Sequence, residues 1–205
     1  TSGRAAALDS TALRANGGVW HQKHREEGIV PHSSIDTEAH WSKSGHHGWW
    51  YGWKLHLAST IASIWIPLAA DLTPANVHDS RMAPALIEQL PIQTRFVMGD
   101  SHFHTPELAT LCGQTNRILV AASGQNKPGV EVRRILHTLR HQAIEPFNGL
   151  FKNIFEWGGQ VPVKGLQRTR LIVLGAVLVY QLVLLYQFEH NKPLGLSIKP
   201  LLRAA

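Results

Sequence analysis

Among 205 residues there is a single cysteine, Cys112. One thiol excludes an internal disulfide framework and a cysteine zinc cage, and it suits a reducing cytosol. Acidic residues are scarce too: 14 Asp and Glu stand against 20 Lys and Arg, a formal net charge of +6. That balance favours a polyanionic partner, of which DNA and RNA are the commonest. The 13 histidines would add positive charge on mild acidification. A signal peptide and an initiator methionine are also missing, and Thr1 leads almost directly into the first expected strand. The chain is therefore expected to begin partway through a longer protein. At 44% hydrophobic it suffices for one well-filled domain and is short for two.

Arg4 to Leu8 reads as a short strand closed by Asp9, and residues 10–48, rich in Gly, His, Ser and charge, as a loop-rich insertion. From Trp49 to Ser59 bulky and polar side chains alternate, and Ile61 to Ala70 reads as the partner strand of a hairpin. Thr73-Pro74-Ala75-Asn76 is turn chemistry. A helix is expected from Asp79-Ser80 to Leu90, with Asp79 as its N-cap. Phe96 to Met98 is a buried strand ended by Gly99-Asp100. Thr105-Pro106-Glu107 combines an N-cap, a first-turn proline and an early acid, which predicts a helix to about Gly113. Ile118 to Ala122 is a further strand. Glu131 to Trp157 reads as mostly helical, broken near Pro146, and Leu171 to Phe188 as an apolar helix. This order predicts one mixed α/β domain over residues 1–205 with a central sheet.

Three acids stand out. Asp9 and Asp100 close apolar runs that read as strands, and Glu145 opens an amphipathic helix. On that helix Phe147, Leu150, Phe151, Ile154 and Phe155 form an apolar face, with Glu145, Asn148, Gly149 and Lys152 opposite. Two strand-borne aspartates and a helix-borne glutamate can hold a pair of divalent metals over a phosphodiester. Magnesium binds through one or two carboxylates plus waters and phosphate, and two-metal in-line displacement needs no protein nucleophile. Taken singly, each acid has a plainer reading. Asp-Ser-Thr opens turns, an aspartate after glycine caps them, and Glu145 with Lys152 makes an ordinary exposed pair. Asp36, in Ser-Ile-Asp-Thr-Glu, competes with Asp9 for the first metal position.

The segments around these acids add detail. Leu8-Asp9-Ser10-Thr11, Tyr51-Gly52-Trp53-Lys54-Leu55-His56, Asn76-Val77-His78-Asp79-Ser80, Gly99-Asp100-Ser101 and Ile144-Glu145-Pro146-Phe147-Asn148 with Lys152 follow one another in order. Together they resemble the catalytic domain of a bacterial insertion-element DDE transposase, over nearly the whole chain. The resemblance implies an RNase H-like α/β fold, a central mixed sheet flanked by helices, with an apolar C-terminal helix. It implies two divalent metals, normally magnesium with manganese as substitute, and strand cleavage and transfer on double-stranded DNA at element ends. It also implies a homodimer when full length and a bacterial cytoplasmic, nucleoid-associated setting. By position, Asp9, Asp100 and Glu145 match the catalytic, metal-binding acids, and Lys152 matches a lysine that contacts DNA near the cleaved bond. His141 stands where an arginine is usual, with Arg140 beside it, and Thr138 where a tyrosine is usual. Arg140, His141 and Lys54 complete the expected DNA contacts. The family's amino-terminal region for end recognition and dimerisation is not matched. The alternative is thus a truncated, catalytically inactive DNA-binding remnant.

Tryptophans crowd the first quarter. Trp49, Trp53 and Trp65 are expected to fill a hairpin face, leaving Trp20 or Trp41 to stack on unpaired bases. A zinc site from His32, His40, His46 and His47 has no supporting ligand spacing. Leu171 to Phe188 holds 18 uncharged residues, the lower edge of the roughly 17–25 that span a bilayer. Gly175, Gln181 and Gln187 dilute it. A helix buried on most sides of an α/β core is the expectation, with no membrane partner.

Overall fold

The computed structural model describes residues 3–45, 48–61, 65–121, 134–135, 138–139, 148–149, 151–155, 157 and 159–192. Among the described residues six strands form one sheet: β1 (Ala5–Arg14), β2 (His40–Ser44), β3 (Gly48–Thr60), β4 (Pro67–Pro74), β5 (Phe96–Gly99) and β6 (Ile118–Ala121). The helices are α1 (Gln22–Glu26), α2 (Asp79–Glu88), α3 (Pro106–Gln114) and α4 (Leu166–Glu189).

β3 organises the sheet. On one side it pairs antiparallel with β1 from Gly52 to Thr60. On the other it pairs with β2 up to Gly52 and with β4 from Trp53 onward. β1 then pairs parallel with β5, and β5 parallel with β6. Four antiparallel strands, β1 to β4, extended by two parallel ones, with helices on both faces, make the RNase H-like arrangement.

Strand alternation sorts the core. Trp53, Leu55 and Leu57 of β3, with Leu13 and Leu72, pack beneath Val173, Val177 and Tyr180 of α4 and Phe151 and Ile154. On the other face Leu8, Ala58 and Ala69 meet Ala83, Leu86 and Ile87 of α2 and Leu108 and Cys112 of α3.

Several elements differ from the sequence expectation. β1 runs five residues past Asp9, because β3 continues beside it and supplies a partner as far as Arg14. Residues 10–48 are not one insertion: they contain the end of β1, α1 and β2. The partner strand of the hairpin is displaced to Pro67–Pro74, so Thr73 closes a strand rather than opening a turn. His78, not Asp79, occupies the N-cap of α2, and Asp79 is the first helical residue. α3 forms as its signals require, with Thr105 Oγ1 accepting from the Leu108 amide at 3.2 Å. Within the expected helical stretch Glu131 to Trp157, residues 134–135, 138–139, 148–149 and 151–154 are helical. The break near Pro146 lies outside the described residues.

α4 is longer than the apolar run, at 24 residues, and by length and composition it could cross a membrane. It buries one face rather than most sides. Leu171, Leu178, Leu182 and Leu185 are each at least half exposed. Two carboxylates fix its start: Asp36 Oδ2 accepts from the Gly165 amide at 3.0 Å, and Glu38 Oε2 from the Leu166 amide at 2.7 Å. Acids there satisfy unpaired amides and complement the positive end of the helix dipole.

Candidate active site

The sheet creates a groove by a mismatch in strand length. β5 stops at Gly99 while its parallel neighbour β1 runs on to Arg14. The last register pair is Ala7 with Met98; Asp9 and Asp100 each lie two residues further along, and both line one cleft. Directly paired residues of parallel strands point to the same face. Beyond them Ser10, Thr11 and Ala12 pair with β3 on one side and have no strand partner among the described residues on the other. This open stretch lies in a cleft of about 1100 Å³, whose walls include Asp9, Asp100, Asn148, Lys152, Lys54 and Trp49. The end of β1 is tied down where the Arg14 amide donates to Gly159 O at 3.0 Å and the Val161 amide to Arg14 O at 2.9 Å.

Asp100 is held by the tight turn Ser101–Phe103. A side chain at Gly99 would meet the Phe103 ring at 2.7 Å, so glycine lets the chain fold back directly after the strand. Asp100 Oδ1 accepts from the His102 amide at 2.8 Å and lies 3.2 Å from His102 Nδ1. The carboxylate thus does cap its turn, and it lines the cleft as well.

Asp9 receives a hydrogen bond on Oδ2 from Asn148 Nδ2 at 3.3 Å. Asn148 and Lys152, both helical, line the same cleft, while Phe151 and Ile154 are buried in the core. Partial burial pushes the Lys152 ammonium below the ordinary lysine pKa.

Lys54 reaches the cleft from the other face of the sheet: it pairs with Ala12, one step out of phase with Asp9. Its Nζ donates to Val77 O at 3.1 Å and to Asp79 Oδ1 at 3.2 Å. Behind this ion pair His56 is buried, with Nε2 2.8 Å from Thr73 Oγ1 and Nδ1 3.5 Å from Asp79 Oδ1. Burial drives the His56 pKa down to about 4; Asp79 and Asp71 oppose the shift and Lys54 adds to it.

Asp36, the competitor of Asp9, is elsewhere and occupied. It is buried, receives the Gly165 and Glu38 amides, and its carbonyl accepts from the Tyr51 hydroxyl at 2.6 Å. Its surroundings, with Lys164, Gln167 and Arg168, form a separate smaller cleft. Glu145, Arg140 and His141 lie outside the described residues, as do His46 and His47. His40 Nε2 lies 2.7 Å from an Arg25 nitrogen, and His32 bonds Ser34.

The tryptophans are sorted differently from expectation. Trp53 is fully buried and Trp65 packs against the core, but Trp49 is 64% exposed. Trp20 and Trp41 are partly buried, their indole N–H groups donating to Ile29 O and Trp20 O, both at 2.7 Å, and Trp41 also lines the cleft. Asn148 and Trp49 are therefore groove residues that the sequence reading did not assign. Asn148's spacing of four from Lys152 was the available signal.

The donor set suits a hard divalent cation. Asp9 and Asp100 bring carboxylate oxygens to one groove, and the neighbouring Asn148 Oδ1 is buried without a hydrogen-bond partner among the described residues. Water on a bound cation would satisfy it. Among the described residues no three metal-ligating side chains cluster, the third expected acid being outside them.

The transposase DDE domain model matches residues 1–182. A chain of the simian T-cell lymphotropic virus intasome, solved by cryo-electron microscopy in complex with PP2A regulatory subunit B56 gamma, is similar at 11% identity with a TM-score of 0.43. That likeness covers 84% of this chain and 47% of the other, so this chain spans about half the length of its neighbour. No curated protein matches. On the extent of the family match, the chain belongs to the transposase DDE domain family.

Proposed function

We propose that this protein catalyses metal-dependent cleavage and transfer of DNA strands at the ends of an insertion element. The observation that supports this reading is that Asp9 and Asp100 line one cleft of a basic chain. Asp9 and Asp100 would hold two divalent ions with Glu145 as the third acid. Bound magnesium, or manganese in its place, supplies activation of the attacking oxygen and stabilisation of the leaving one.

The chain's own groups do the positioning. Asn148 fixes one Asp9 oxygen, leaving the carboxylate a defined orientation at the groove. Lys152 presents its ammonium to the phosphate backbone, and contact with an anion would restore the charge that burial disfavours. Arg140 and His141 are proposed as further phosphate contacts. Lys54 contributes by sharing its cation between Asp79 and DNA. The substrate is double-stranded DNA, and the full-length protein acts as a homodimer in the bacterial cytoplasm.

The test is plasmid nicking by the purified chain in magnesium or manganese, compared with chelator. Metal-dependent nicks that disappear with Asp100→Asn are expected. DNA retention with no nicking in either metal would sink the enzyme and leave the DNA-binding remnant.

A further inference from the structure

Of the seven tryptophans, all described, only Trp49 is mostly exposed. It lies on β3 directly across from Lys43 of β2, and Lys43 Nζ sits 5.6 Å from the centre of its ring. Both residues line the cleft that contains Asp9 and Asp100. Alternation along β3 places Trp49, Tyr51, Trp53, Leu55 and Leu57 on one face. Leu57 is the register partner of Asp9, so Trp49 belongs to the same face as Asp9, farther along the strand.

A large aromatic surface left in water forfeits hydrophobic stabilisation that its neighbours on this strand obtain. Tyr51 and Trp53 are buried two and four residues away on the same face. The indole is rigid and flat, it carries a cation against its ring, and it borders a groove with further lysines. These are the parts of a surface that takes a base by its π-face and the adjoining phosphate by charge.

We propose that Trp49 and Lys43 form a stacking platform for an unpaired base of the DNA strand lying in this groove. In an intact duplex both faces of a base are already covered by its neighbours. Only a base freed from its pair, at a frayed end or a distorted step, can lay a face on the indole. Binding there is indifferent to base identity, since every base has such a face. The inference rests on the DNA-processing reading above and adds the form of DNA that the groove prefers.

The test uses fluorescein-labelled duplexes of arbitrary sequence, one blunt and one ending in a short unpaired flap, with anisotropy read in calcium to suppress cleavage. The wild-type chain is expected to prefer the flapped duplex. Trp49→Ala should lose roughly fivefold to a hundredfold in affinity for the flap, with a loss below about twofold on the blunt duplex. Trp49→Phe should keep most of the preference. An equal loss on both duplexes, or none on either, overturns the platform. If the wild type binds neither duplex and nicks nothing in magnesium, the function itself fails and the platform with it. Nicking and binding by the wild type, with Trp49→Ala indistinguishable from it, removes the platform alone. Thermal melting of each variant confirms that the fold is kept.

Discussion

Asp9 on β1 and Asp100, the residue that follows β5, line one cleft, each two residues beyond the Ala7–Met98 pair of these parallel strands. Their separation in sequence is large, and the sheet brings them to one cleft. Asp100→Asn keeps the side-chain acceptor for the His102 amide, so the turn should survive. Its melting temperature should stay within a few degrees of wild type, while metal-dependent nicking falls by roughly a hundredfold or more. Wild-type nicking by this variant would remove Asp100 from the chemistry.

Asp36→Ala should behave in the opposite way. It takes the buried acceptor from the Gly165 amide at the start of α4 and from the Glu38 amide. Losing it leaves buried donors unsatisfied, at a cost of about 1–3 kcal/mol. Calorimetry should show a melting temperature lower by about 2–4 °C per kcal/mol. Nicking per folded molecule should persist. An Asp36 variant that folds as wild type and cannot cut would transfer the first metal position to it from Asp9.

Lys152→Ala should weaken DNA binding and flatten the slope of log affinity against log salt by about one phosphate contact. Because burial lowers the Lys152 pKa, wild-type binding should also lose this contribution as pH rises, at a lower pH than an exposed lysine would. Titrating affinity against salt at two alkaline pH values, for wild type and variant, checks both effects. Identical slopes would place Lys152 away from the DNA.

Acid should unfold the protein partly through His56. Its pKa is about 4 in the fold against 6.5 in the unfolded chain. Between those values the unfolded state binds the extra proton, so stability falls as pH drops from about 6.5 towards 4. The loss is on the order of 3 kcal/mol. His56→Gln retains a partner for Thr73 Oγ1 and has nothing to titrate, so its denaturation midpoint should vary less across that window. Parallel curves for the two proteins would refute the assignment.

Much of this was legible in the residues. The α3 cap, the apolar runs of β5 and β6 and the α4 span are local signals, and local chemistry produces them. What the sequence hid was set by long-range pairing. Asp9 looked like the end of a strand because a polar stretch follows it, yet β3 carries the strand onward. Asp36 could not be told from a ligand until α4 arrived 129 residues later to place an amide on it. Trp49 and Trp53 read as equivalent members of one alternating run. Only the position of the sheet's edge makes one solvent-facing and the other core.

β3 serves three partner strands at once, and it does so with strict alternation: Trp53, Leu55 and Leu57 face one core cluster, Lys54 and His56 the opposite side. A deletion or insertion of one residue within 53–57 would exchange these two sets. Lys54 would then enter the layer under α4, and the tryptophan and leucines would face the Asp79 side. Repair would need a compensating bulge, such as the register shift β3 already carries at Ala58 and Ser59, because β1 and β4 both take their register from this stretch. Length variation in this protein should therefore be tolerated at connections such as the one between β2 and β3. Within 53–57 a change of a single codon should cost far more than a longer one in a connection.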